Sequence, residues 1–195
     1  MITIFEQGSF HQYSLKTGLD EARSTILAHS QTATKKTTVF LSHKHDDLDD
    51  LKDVIGFLQK QYGVQVYIDS RDSTMPSVTS SETALKIRNR IDQCDKFILL
   101  ATNGAISSKW CNWELGYGDA RKFQNHIALF PFKPKDSSNS EYRGSEYMTI
   151  YPYISYFSGD EKYKNGKPIP RGYYIRRQEN GTNFITPLDV WFKEK

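Results

Sequence analysis

The sequence is poor in the features that give a protein away quickly. It holds two cysteines, Cys94 and Cys111, in 195 residues. That is too few for a disulfide framework, and they lack the C-x-x-C spacing of a zinc or redox site, so both are expected reduced and packed. Apolar runs such as Phe97 to Ala101 stop at about five residues against the roughly twenty that a bilayer requires, so no membrane span is expected. Lys and Arg never gather into a tract. The 26 basic and 23 acidic residues leave a net charge of +3 spread along the chain, a small electrostatic footprint for nucleic acid. Met1 to Gln12 contain no basic segment leading into an apolar stretch, so no signal peptide is visible and a cytoplasmic protein is expected. Without secretion, the sequon Asn180-Gly181-Thr182 is idle.

What the chain does have is aromatic side chains, 11 Phe, 12 Tyr and 3 Trp, although only 37% of it is hydrophobic. Such a composition excludes disorder and requires a packed core. Between Thr37 and Phe132, short apolar runs (Val39-Phe40-Leu41, Val64 to Ile68, Phe97 to Leu100, Ile127 to Phe130) alternate with amphipathic stretches. This is the pattern of βα units around a parallel sheet. Leu48, Leu51, Val54, Ile55, Leu58 and Tyr62 recur at helical spacing behind a cluster of Asp46, Asp47, Asp49 and Asp50, anions placed where a helix N-terminus favours them. Thr79-Ser80-Ser81-Glu82 has capping-box spacing and opens a second helix through Ala84, Ile87 and Ile91. A third helix is expected from about Ser107 to Phe123.

Residues 1–36, with a short amphipathic helix from Leu15 to Ser30, read as an N-terminal arm, and 37–195 as the domain proper. Eight of the twelve tyrosines fall between Tyr142 and Tyr174. In this Tyr-rich extension, strands are expected at Tyr151 to Phe157 and Tyr173 to Arg177, and a helix near Pro187 to Lys193.

In an open parallel sheet ligands bind beyond the carboxyl ends of the strands. That topology nominates Ser42-His43-Lys44-His45, the polar loop from Asp69 to Ser80, and Thr102-Asn103-Gly104. On the third helix, Ile106, Trp110, Trp113, Tyr117 and Ala120 line up as an apolar stripe with Glu114 on its shoulder, four residues from Trp110. A carboxylate beside aromatic rings is either paired, for instance with Arg121, or used. Gly116-Tyr117-Gly118 sits inside a helix and follows no strand, so it is not a dinucleotide fingerprint.

Val39-Phe40-Leu41-Ser42-His43-Lys44-His45-Asp46, Tyr67-Ile68-Asp69 with the polar loop after it, and Ser108-Lys109-Trp110-Cys111-Asn112-Trp113-Glu114-Leu115-Gly116 together resemble the signature segments of Toll/interleukin receptor (TIR) domains. The resemblance is close over 37–132, looser in the tail, and nearest to stand-alone bacterial TIR proteins of antiphage defence (Thoeris type). One departure stands out: Thr37-Thr38 precede Val39 where many members carry an acidic residue.

The resemblance implies a flavodoxin-like α/β fold, a central parallel sheet with helices on both faces. It further implies NAD+ cleavage at the nicotinamide–ribose bond, giving ADP-ribose or a cyclic isomer read by a downstream effector. NAD+ is then a substrate, with no cofactor and no metal; His43 and His45 lack further ligands. The family's catalytic glutamate falls on Glu114 and its companion tryptophan on Trp110, while Phe40, Ser42, His43 and Asp69 fall at the nucleotide-contacting edge. His43 is a general base or a hydrogen-bonded loop histidine, and Asp69 binds ribose or caps its loop. The loop Ser70 to Ser80 matches the BB loop, through which relatives self-associate. Two other classes compete: a non-catalytic TIR scaffold, and a nucleoside deoxyribosyltransferase-like enzyme.

Overall fold

The computed structural model describes residues 3–15, 36–69, 80–122 and 124–194. The expected helix from Leu15 to Ser30 and the loop Ser70 to Ser80 lie outside these residues, apart from Leu15 and Ser80. The elements are β1 (Phe5–Glu6), β2 (Thr38–Ser42), α1 (Leu48–Tyr62), β3 (Gln65–Tyr67), α2 (Ser81–Gln93), β4 (Lys96–Ala101), α3 (Asn103–Ser107), α4 (Lys109–Arg121), β5 (Ile127–Lys133), α5 (Tyr147–Ile150), β6 (Tyr153–Phe157), β7 (Gly172–Glu179), β8 (Thr182–Pro187) and α6 (Leu188–Lys193).

The sheet runs β3-β2-β4-β5-β6-β7-β8. Pairing is parallel from β3 through β6 and antiparallel from β6 to β7 and from β7 to β8. Its first five strands have the flavodoxin-like order, which reverses direction between β2 and β4. Central parallel strands are covered on both faces and read as continuous apolar runs, and β4 and β5 are buried at every position. The pleat then sorts side chains by parity. Val39, Leu41, Ile98, Leu100, Ala128 and Phe130 join α1 and α6 on one side. Phe40, Phe97, Leu99, Ala101, Ile127 and Leu129 join α2, α3 and α4 on the other.

Three local expectations are revised. The cap of α2 is Ser80, one residue later than read, with the Thr83 amide donating to its hydroxyl. The third helix, expected from about Ser107 to Phe123, is α4 and runs Lys109–Arg121, capped by Ser108, whose hydroxyl accepts from the Cys111 amide; a separate short helix, α3, precedes it. The tail holds a further strand, β8. Asn180 and Gly181, at φ 47° and 72°, form the two-residue turn of the β7–β8 hairpin between the paired Glu179 and Thr182. Both turn positions require positive φ, which Asn-Gly adopts most readily. The apparent sequon is therefore a turn signal, and β7 and β8 add two antiparallel strands to the edge of the central parallel sheet. Thr38 fills the place of the missing acidic residue: its amide and hydroxyl both donate to Asp95 at 2.8 Å.

The beginning of the chain also differs from an appended arm, because residues 3–15 are built into the domain. β1 pairs in parallel with the end of β5, Phe5 opposite Phe132, and the Thr3 hydroxyl donates to the Tyr156 carbonyl in β6. Phe10 is 2% exposed and packs 4.7 Å from Phe57 and 5.2 Å from Phe130, ring centre to ring centre. Burying one such ring contributes roughly 2 kcal/mol. The acidic start of α1 anchors this segment: Asp50 accepts from the Gly8 amide and the Gln7 side chain, both at 2.8 Å. Close approach is possible because residue 56 is glycine. A Cβ there would lie 1.9 Å from the Tyr13 carbonyl oxygen, a backbone atom with little room to yield. Gly56→Ala should therefore loosen the segment and cost about 1–3 kcal/mol. Thermal unfolding and amide exchange at Phe10 to Tyr13 would measure this, and unchanged values for both would contradict the packing described.

Candidate active site

The carboxyl ends of β2 and β4 diverge at the point where strand order reverses, and the functional side chains collect there. Ser42 is the last residue of β2 and shares the parity of Phe40, so its side chain turns toward α4. There the Ser42 Oγ donates to Glu114 Oε2 at 2.5 Å. Glu114 is 2% exposed and lies on the buried face of α4 with Cys111, Leu115 and Gly118. The apolar stripe read from the sequence is a second, half-buried face. Its rings stack on one another, Trp110 on Trp113 at 4.9 Å and Trp113 on Tyr117 at 6.2 Å, while Ala120 is exposed.

Arg121 does not neutralise Glu114, since its guanidinium donates to Asp92 at 2.9 Å. Glu114 Oε1 is buried and has no hydrogen-bond partner among the described residues. Burial, reinforced by the nearby charge of Asp69, pushes this carboxyl up to about 8, against the opposing pull of the Ser42 hydrogen bond. A buried acid with one idle oxygen costs stability if it serves only structure.

In front of it lies a cavity of about 230 Å³ lined by His43, Lys44, His45, Asp69, Ser108, Trp110 and Cys111. Glu114 is not part of the lining and sits behind it. His43 and Asp69 approach to 3.9 Å, the His43 side chain 1% exposed and that of Asp69 26%. Burial lowers the His43 pKa below its ordinary value, with Asp69 pulling the other way, which favours a neutral ring at neutral pH. Burial pushes the Cys111 thiol up to about 11, so it is not a thiolate nucleophile at neutral pH. Behind the lining, Asp47 accepts from the Thr102 hydroxyl at 2.6 Å and joins the ends of β2 and β4.

Of the six residues singled out in the sequence, five converge here: Ser42, His43, Asp69, Trp110 and Glu114. Phe40 does not. It is fully buried between Phe97, stacked at 5.6 Å, and Tyr67, because mid-strand residues of a central parallel strand cannot reach the crevice. Cys111 and Ser108 were not read as site residues. Their signal was available, since Ser108 is a helix N-cap and Cys111 stands one turn before Glu114.

With this geometry in view, relatives place the chain. The family model described as TIR domain matches residues 39–166. A probable 3' cyclic ADP-D-ribose synthase of Bacillus cereus is 32% identical over 119 residues, 60% of this chain and 60% of that protein. The TIR domain of a Toll-related receptor from Hydra magnipapillata aligns with a TM-score of 0.40 at 17% identity, over 52% of this chain and 75% of that one. No helix among the described residues is long and apolar enough to cross a membrane. By its family match across two-thirds of its length, the chain belongs to the TIR domain family.

Proposed function

We propose that this protein cleaves NAD+ at the bond between nicotinamide and ribose, with Glu114 as the catalytic carboxylate. The observation that carries this reading is the buried Glu114 carboxyl, one oxygen unpartnered, behind a cavity walled by Trp110. Glycosidases acting on neutral sugars need two carboxyl groups, one to protonate the leaving oxygen. The nicotinamide of NAD+ is already cationic and departs neutral, so one carboxylate suffices. As the C–N bond breaks, its electron pair goes to the nicotinamide ring and positive charge develops on the ribose, where an anion in a dry site stabilises it most. Without substrate, burial favours the protonated form of Glu114 at neutral pH. A cationic substrate alongside favours release of that proton and ionisation of the carboxyl.

The name of the Bacillus cereus relative supports a cyclic product, formed when an atom of the same molecule attacks the ribose in place of water; linear ADP-ribose is the hydrolytic alternative. Trp110, its ring on the cavity wall, suits stacking against a planar base. Phage defence, with a downstream effector sensing the product, extends the same proposal, as does self-association through Ser70 to Ser80. Should association complete the site, specific activity rises with enzyme concentration in step with mass by light scattering; constant activity from a monomer excludes it.

Glu114→Gln removes the charge and keeps the shape, and should lower nicotinamide release about a hundredfold or more, roughly 3 kcal/mol of transition-state stabilisation. Near-normal release by the folded variant, followed by chromatography, rejects the assignment. Parallel incubation with free nucleosides separates the deoxyribosyltransferase alternative.

Two pH effects follow from the raised carboxyl. Since the ionised form is the active one, kcat/KM should rise with pH and level off above about 8. Stability runs the opposite way: the folded state holds this proton more tightly than the unfolded chain does, so stability present below about 4.5 is lost as pH rises through about 8. Urea titrations across that range should show Glu114→Gln removing part of the decline.

A further inference from the structure

The contact between Ser42 and Glu114 is unusual in its economy. An ionised carboxylate offers about four lone-pair sites, and a structural carboxylate buried this deeply is normally satisfied at both oxygens. Among the described residues Glu114 receives one hydroxyl, on Oε2, and Oε1 receives no hydrogen bond. That donor is mounted at the buried end of a central strand. Ser42 is 1% exposed, ends a strand buried on both faces, and stands opposite Leu99 in the ladder with β4. The terminal torsion of a glutamate is broad and has little intrinsic preference. With one oxygen tied to the strand, that rotation is restricted and the other oxygen keeps a defined direction.

We propose that Ser42 is a positioning residue: its hydroxyl fixes the rotation of the Glu114 carboxylate so that Oε1 is presented to the ribose, while Ser42 itself does not touch the nucleotide. This rests on Glu114 being the catalytic carboxylate, and it replaces the reading of Ser42 as a substrate contact. The side chain points along the sheet normal into α4, and Ser42 is absent from the cavity lining. Two consequences separate positioning from binding. A freely rotating carboxylate loses alignment with the developing cation and slows turnover without weakening NAD+ binding. The Ser42 hydrogen bond also favours the charged carboxylate, so its loss raises the pH needed for ionisation.

The experiment compares Ser42→Ala, Ser42→Thr and Ser42→Cys with the wild-type protein. Steady-state kinetics give kcat and KM across pH, and carbon-13 NMR follows the Glu114 carboxyl without NAD+. For Ser42→Ala we expect kcat to fall tenfold to about a hundredfold, the size of a modest misplacement, with KM nearly unchanged. The Glu114 midpoint should move to higher pH in both measurements. Ser42→Thr, which keeps a hydroxyl, should restore much of both. Ser42→Cys fills the space but donates weakly, so it should behave like Ser42→Ala and covers the case in which the alanine variant folds poorly. A raised KM with kcat preserved would overturn the proposal in favour of a nucleotide contact. A loss of activity that tracks thermal stability, with the Glu114 titration unmoved, would overturn it in favour of a packing role. The NMR titration stands apart from turnover: absence of nicotinamide release by the wild-type protein defeats the functional reading, whereas an unmoved Glu114 midpoint in Ser42→Ala defeats this one.

Discussion

The alternation of side chains along β2 governs the rest of the site. Val39 and Leu41 face α1, and Phe40 and Ser42 face α4. Burial on both faces forces the first three to be apolar, and only the strand's last position can carry a polar group turned toward the helix. A one-residue slip of register would send Ser42 to the α1 side and leave Glu114 among apolar groups with no donor. The register is held by pairing with β3 and β4 on either side and, at the strand's start, by the exchange between Thr38 and Asp95.

The helix opposite is adapted to bring a carboxylate that close. Cys111 and Gly118 are small, and a Cβ on Gly118 would already press to 3.2 Å of the Phe97 ring. The buried face of α4 can therefore lie low on the sheet, which carries Glu114 to the end of β2. Its aromatic residues are displaced to the flank, where Trp110 becomes cavity wall and Trp113 and Tyr117 continue the stack outward. Meanwhile the Ser108 cap starts the helix two residues ahead of Trp110.

This arrangement explains which parts were legible in the sequence. The βα alternation was plain because buried parallel strands are uniformly apolar and their helices are not. Ser42, His43 and Asp69 could be placed at the crevice from topology alone. The burial of Glu114 could not, because the wheel assigns the core to the larger rings, whereas contact with a sheet selects the face that approaches closest, and on α4 that is the face of small residues. Phe40 was misplaced because a motif gives position along the chain and not depth in the sheet. In the tail, Asn180-Gly181 was visible only as part of an idle sequon and not as a turn; the strand after it, Thr182–Pro187, is half polar and half exposed, with too weak an alternation to announce itself. The N-terminal residues were set apart because a two-residue strand has no periodicity to detect.

That N-terminal strand bears on how the protein is made. Glu6 and its partner Lys133 are 127 residues apart, and Thr3 and Tyr156 are 153 apart. Both contacts span most of the domain's sequence, so the pairing of Phe5 with Phe132 cannot form until β5 has been made. Phe10 reaches Phe57, and Gly8 reaches Asp50, only 47 and 42 residues on, so this segment can fold back on α1 first and receive β5 later. The sheet is therefore stitched across its own sequence: β1, at residues 5–6, is held only once β5, at residues 127–133, is in place.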